Sequence, residues 1–230
     1  MKAKDFDKKF DGGKSVIKHL DLLKAKGAIP LKIPFKEFVE KEIGNDAVLI
    51  ACGLPATNKT ETTEIIARLK GYEMLRTDVI RREVLKDEDI FDEKIASNMD
   101  KRTLVYDTMF SMADELSSQG KGVILDATFV TQSLRKRAAG VAAGNRKTFI
   151  IQQTQCSQEY SLNKISRRTR ENYESNALTE QAYLNNKNRF EPVDLDDLKE
   201  LYPELHIVHL LVDTASDSDD EWFVIGKAER

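Results

Sequence analysis

Eight residues, Gly53-Leu54-Pro55-Ala56-Thr57-Asn58-Lys59-Thr60, follow G-x-x-x-x-G-K-[ST], the Walker A pattern, at every fixed position but one: Asn58 stands where the second glycine is expected. A loop of this kind, set between a strand and a helix, turns its backbone N–H groups and the helix amino terminus toward phosphates. Lys59 would then reach the β- and γ-phosphates of ATP, Thr60 would bind Mg²⁺, and Glu61 would close the nucleotide-binding segment. The plain alternative is a turn with an exposed lysine. Asparagine is among the few non-glycine residues that enter the left-handed region at small cost, so Asn58 preserves the turn. It also sets a side chain beside the phosphates, which argues toward weaker binding or turnover.

Three further groups can act on the same chemistry. Asp78 and Arg81 fall on the first turn of a short helix after a strand, where a carboxylate can take a proton from an acceptor hydroxyl and a guanidinium can hold an anionic acceptor group. Asp78 reads equally well as a helix cap. Asp126 ends an apolar strand, the place of an acidic residue that positions Mg²⁺ or its water shell, or of an ordinary turn residue. Arg167, Arg168 and Arg170, with Lys164, form a basic cluster that either closes over a transferring phosphoryl group or makes a solvated helix face.

These residues need elements to hold them. Ala47-Val-Leu-Ile-Ala-Cys52 is an apolar run ending at a glycine, as in a strand buried on both faces of a parallel sheet. The spacing predicts a helix over 60–69, a strand over 72–77, a short helix over 79–85 and a long amphipathic helix over 92–118. Strands over 123–126, 147–154 and 205–212 alternate with helices over 132–143 and 159–172, and an acidic tail follows. Such alternation predicts parallel strands with helices on both faces and right-handed crossovers. Residues 1–44 read as a partly helical appendage with apolar positions Val16, Leu20 and Leu23, and 45–230 as the main domain with a lid at about 157–190.

Composition limits the function classes. The 230 residues carry a net charge of -3 and 33% charged side chains, which fits a soluble globular chain and gives no sign of a duplex-coating protein. Cys52, Cys156, His19, His206 and His209 have no metal-like spacing. No apolar run reaches the roughly 18 residues of a membrane helix, and the amino terminus lacks an apolar core, so the expectation is a cytoplasmic protein without a membrane partner. Oligomeric state is not legible.

Taken in order, the loop, Leu75-Arg-Thr-Asp-Val-Ile-Arg81, Gly122-Val-Ile-Leu-Asp-Ala-Thr-Phe129 with Arg135, Arg167-Arg-Thr-Arg170 and Arg189-Phe-Glu-Pro192 resemble the AAA_33-type P-loop kinase-like ATPases. Their relatives are polynucleotide kinase 5′-kinase domains, zeta-toxin kinases and chloramphenicol phosphotransferase. The resemblance spans roughly residues 47–214. It implies an α/β P-loop NTPase with a parallel five-stranded sheet of order 2-3-1-4-5 and a helical lid. It further implies Asp78 as acceptor base, Arg81 as acceptor contact with Thr128 and Arg135 on the same side, and a catalytic role for the lid arginines. The function expected is transfer of the γ-phosphoryl group of ATP, with Mg²⁺, to a hydroxyl of a small molecule, a nucleotide sugar or a nucleic-acid 5′ end. Nucleic acid is compatible but not favoured. The alternative is a nucleotide-binding regulatory module with little or no catalysis. The opening segment, Asp5-Phe-Asp-Lys-Lys-Phe-Asp11, is loosely similar to small antitoxins, and no function follows from it.

Overall fold

A computed structural model describes residues 29–86, 98–168 and 179–230. The amino-terminal stretch with Val16, Leu20 and Leu23, the antitoxin-like segment, the first turns of the 92–118 helix and Arg170 lie outside the described residues.

The strands are β1 (Ile29–Pro34), β2 (Val48–Cys52), β3 (Glu73–Arg76), β4 (Val123–Asp126), β5 (Phe149–Gln155), β6 (Ile207–Asp213) and β7 (Phe223–Glu229). The helices are α1 (Phe35–Glu42), α2 (Lys59–Lys70), α3 (Thr77–Val84), α4 (Met99–Ser118), α5 (Gln132–Gly144), α6 (Gln158–Ser166), α7 (Glu180–Arg189) and α8 (Leu195–Leu201).

The sheet has seven strands in the order β1-β7-β6-β5-β2-β4-β3, and it is mixed, which corrects the five-stranded parallel sheet expected from the sequence. The run β3-β4-β2-β5-β6 is parallel, and β7 and β1 extend it antiparallel from β6. β7 was hidden because it follows the acidic stretch through Glu221, which reads as a tail. β1 was hidden by Pro30 and Pro34; an edge strand tolerates proline because its outward N–H positions need no ladder partner.

All five residues of β2 are buried, as a strand covered on both faces should be. Its side chains alternate. Val48, Ile50 and Cys52 pack with Val105, Met109 and Phe110 of α4, with Ala138 and Ala142 of α5 and with Leu198 of α8, whereas Leu49 packs with Phe35 and Phe38 of α1 and Ile66 of α2. Each fully buried Leu or Ile contributes about 1.5–3 kcal/mol, so this double layer fixes the register of the strand that carries the loop. The carboxyl ends of β2 to β6 all point to one edge, where Cys52, Arg76, Asp126, Gln155 and Asp213 end their strands. Among the described residues no helix is long and apolar enough to cross a membrane.

Candidate functional site

The loop 53–58 connects β2 to α2. Gly53 has φ 140°, and a Cβ there would stand 2.7 Å from the Thr154 carbonyl oxygen, so only glycine fits against β5. Ala56 and Asn58 also have positive φ, 60° and 56°. Asn58 is in the left-handed conformation expected for it, immediately before α2. Thr57 is buried; its hydroxyl lies 2.7 Å from that of Thr154 and donates to the Leu54 carbonyl at 2.8 Å. The Lys59 ammonium donates to the same carbonyl at 2.5 Å, arching over the loop. Burial pushes the Lys59 pKa down, the Asp126 carboxylate opposes that, and Arg168 adds to it. Pro55 is buried in the bend.

Thr60, in the first turn of α2, donates its hydroxyl to the Asp126 carboxylate at 2.8 Å. The Arg76 guanidinium is 3.8 Å from the same oxygen. Asp126 is only 7% exposed, and burial raises its pKa to about 6 against the pull of Thr60, Lys59 and Arg76. Two hard oxygens 2.8 Å apart at a phosphate loop fit Mg²⁺, which takes one or two protein oxygens and fills its remaining positions with phosphate and water. Among the described residues no group of three or more His, Cys, Asp or Glu could hold a metal without such help.

On one flank the loop is tied to α6 and to the end of β6. The Asn58 amide donates to the Thr214 carbonyl at 3.0 Å, and the Thr214 hydroxyl donates back to the Thr57 carbonyl at 3.0 Å. Lys164 of α6 donates to the Asn58 side-chain oxygen and lies 3.4 Å from the Glu61 carboxylate. Just beyond α6, Arg167 is exposed, whereas Arg168 is half-buried and close enough to Lys59 to depress its pKa. Sequence reasoning put Lys164 in the basic cluster read as a phosphate-closing segment or a solvated face, not against Asn58 and Glu61, and nothing in the sequence marked Thr154 or Thr214.

The other flank carries Asp78. The α3 cap position belongs to Arg76, so Asp78 is the second helical residue rather than the cap. It is half-buried and near enough to Asp126 and Tyr106 to act on both electrostatically. Thr128 accepts the Gly53 N–H at its carbonyl, 3.3 Å away, and its side chain meets Tyr106. Arg81 stands three residues after Asp78, near Tyr106.

Arg135 is placed differently from the expected acceptor contact. It is fully buried, and its guanidinium donates to the carbonyls of Phe129 at 3.0 Å, Glu191 at 2.7 Å and Pro192 at 3.0 Å. With those donors engaged, Arg135 is a clamp that fastens the 190–192 segment to the 129–130 loop, and it is a positioning residue at most.

A family model described as "AAA domain" (AAA_33) matches residues 48–193. No protein of curated function matches the sequence. Among solved structures, the chain is similar to a gluconokinase from Sinorhizobium meliloti 1021, with 16% identity, TM-score 0.50, and coverage of 76% of this chain and 86% of that one. It is similar to a sugar kinase from Janibacter sp. HTCC2649, with 14% identity, TM-score 0.53, and coverage of 73% and 85%. The AvrRxo1-ORF1:-ORF2 structure with ATP gives 17% identity and TM-score 0.50, covering 84% of this chain and 61% of that one. At these identities the similarity concerns the fold. The family match covers well over half of the sequence and includes the phosphate loop, Asp78 and Asp126, and the chain therefore belongs to the AAA_33 family of P-loop kinase-like proteins.

Proposed function

We propose that the protein is an ATP-dependent kinase that transfers the γ-phosphoryl group to a hydroxyl of an acceptor bound beside Asp78. The observation that carries this reading is the placement of Asp78 within electrostatic reach of Asp126, which itself holds Thr60 at the mouth of the loop. This proximity supports Asp78 as a proton acceptor next to the phosphate end of the nucleotide site. The loop amides from Gly53 to Thr60 and the Lys59 ammonium would hold the phosphates, and Arg168, from the opposite flank, would meet charge developing on the transferred group.

In the transfer, the acceptor O–H loses its proton to the Asp78 carboxylate while its oxygen forms a new bond to the γ-phosphorus. The bond from that phosphorus to the β,γ-bridging oxygen breaks, and the electron pair leaves with ADP. Thr60 and Asp126 fit a Mg²⁺ ion, which would supply charge neutralisation at the β- and γ-oxygens. Arg81 and Thr128 would orient the acceptor. Because little covalent chemistry falls to the protein, most of the rate would come from position and electrostatics. The gluconokinase and sugar kinase neighbours favour a small polyhydroxylated acceptor over a nucleic-acid end. Asp78→Asn tests the assignment: transfer should fall at least about 10²-fold, in the range of a lost general base, while ATP affinity stays within twofold, and unchanged transfer removes Asp78 as the base.

A second reading has its own observation. Asn58 is bonded on both sides, to Thr214 and to Lys164, so a residue unusual for this loop is built into the link between loop and α6. A module that senses nucleotide through α6 without turnover would use the same link. Saturable ATP binding with no transfer to any acceptor and no hydrolysis would select it.

A further inference from the structure

Arg76 and Asp126 end neighbouring strands. In the β3–β4 register they are Cα partners, and partners in a parallel pair turn their side chains to the same face, so strand pairing itself delivers the guanidinium to the carboxylate. One residue on, the Thr77 hydroxyl donates to the Asp126 carbonyl at 3.3 Å and ties the two strand ends together where α3 begins. Arg76 Nε stands 3.8 Å from Asp126 Oδ2, the same oxygen that accepts the Thr60 hydroxyl at 2.8 Å.

The carboxylate that fits Mg²⁺ is therefore shared with a cation that the chain supplies itself. Both side chains are withdrawn from water, Asp126 at 7% and Arg76 at 27% exposed, so their attraction is screened less than that of a surface pair. Lys59 and Asp78 also act on Asp126. Two cations, Arg76 and Lys59, thus stand with two carboxylates, Asp126 and Asp78, and their charges balance. A bare divalent ion entering this corner would leave it with surplus positive charge where little solvent screens it. An ion carried by a triphosphate arrives with more negative charge than it brings.

We propose that Arg76 is a positioning residue for the metal: it holds the Asp126 carboxylate beside Thr60 and, by contending with a free divalent ion for it, confines metal uptake to the metal–nucleotide complex. This rests on the reading of Thr60 and Asp126 as the metal residues, and it can be tested apart from turnover.

The test titrates the full chain with Mn²⁺, a paramagnetic stand-in for Mg²⁺, and reads the free ion by electron paramagnetic resonance, with and without AMP-PNP. Without nucleotide, Arg76→Gln and Arg76→Met should each bind Mn²⁺ at least about tenfold tighter than the wild type, the scale of one charge removed beside a partly buried site. Arg76→Lys, which keeps the charge, should stay within about threefold. With AMP-PNP the gap between wild type and Arg76→Gln should narrow, because phosphate oxygens then dominate the binding. Adding Asp126→Asn to Arg76→Gln should erase the gain. Should Arg76→Met misfold, Arg76→Gln, which keeps a polar head, carries the comparison. Unchanged or weaker Mn²⁺ binding on loss of the Arg76 charge overturns the proposal, as does a gain that survives Asp126→Asn. Mn²⁺ that binds no variant, with AMP-PNP or without, overturns it together with the metal reading of Thr60 and Asp126. An Asp126-dependent gain in a chain that transfers phosphate to no acceptor supports the role of Arg76 and removes the kinase reading alone.

Discussion

The side chain of Lys164 donates to the side-chain oxygen of Asn58, joining α6 to the residue that immediately precedes the phosphate-loop lysine. Asn58 is therefore more than a tolerated substitute for glycine. Its left-handed backbone keeps the turn, and its carboxamide bridges α6 and the Thr214 carbonyl at the end of β6. Lys164 is itself shared with Glu61, so the start of α2 is tied to α6 at two points.

Replacing Asn58 with glycine separates the two roles. Glycine adopts φ 56° without strain, so the loop should keep its shape, but both side-chain bonds are lost. At about 0.5–1.5 kcal/mol per hydrogen bond, stability should fall by roughly 1–3 kcal/mol in urea unfolding. ATP affinity should hold or improve. A marked loss of ATP binding would mean that the carboxamide itself contributes to the nucleotide site.

Arg168 and Arg167 are adjacent but differently placed. Only Arg168 is half-buried and electrostatically coupled to Lys59. Arg168→Ala should lower the rate of transfer by about 10²-fold or more, the scale of a lost charge-stabilising donor, and Arg167→Ala should change it less than threefold. Single-turnover rates check this, and the reverse order would assign the phosphates to Arg167.

Arg135→Met leaves the carbonyls of Phe129, Glu191 and Pro192 without their shared donor. The Phe129 carbonyl is buried and those of Glu191 and Pro192 are part-buried; a buried unsatisfied group costs about 1–3 kcal/mol and a wetter one less, so the variant should lose roughly 1–3 kcal/mol of stability. A substrate contact would predict the opposite pattern, a raised KM with an unchanged urea midpoint.

Two buried groups give pH dependences of opposite sign. His209, whose Nε2 lies 3.0 Å from the Gln153 side-chain oxygen, has its pKa lowered to about 4 by burial and nearby Arg135. The unfolded chain takes up that proton first, so this contribution is present above pH 6.5 and is lost as pH falls from 6.5 toward 4. Asp126 has its pKa raised to about 6, so the folded state keeps its proton longer, and stability falls as pH rises from about 4 to about 6. His209→Gln should flatten the acid limb of the urea midpoint, and Asp126→Asn should raise the midpoint of the nucleotide-free protein at pH 7. No change in either profile would contradict the corresponding burial.

The sequence made the phosphate loop legible because Gly53, Lys59 and Thr60 have fixed spacing between a buried strand and a helix. Four of the five parallel strands were legible as apolar runs that end at one edge, and the fifth, β3 (Glu73–Arg76), from its place in the alternation of strands and helices. β1 and β7 were not, since prolines and a preceding acidic stretch obscure strands that complete a sheet from its edge. Arg135 entered as a ligand contact only through the family resemblance, and a sequence match does not reveal which way a guanidinium turns; packing draws it inward to backbone carbonyls. Lys164, Thr154 and Thr214 meet the loop only through the fold, from positions about 100 or more residues away.

The most direct measurement is calorimetric titration of the intact chain with ATP and Mg²⁺, beside Lys59→Ala, followed in the same samples by a phosphoryl-transfer screen with sugar, phosphorylated sugar, nucleotide-sugar and oligonucleotide acceptors. The account predicts saturable binding that Lys59→Ala abolishes, with at least one acceptor labelled in an Asp78-dependent manner. ATP binding that is absent, or indifferent to Lys59, would contradict it.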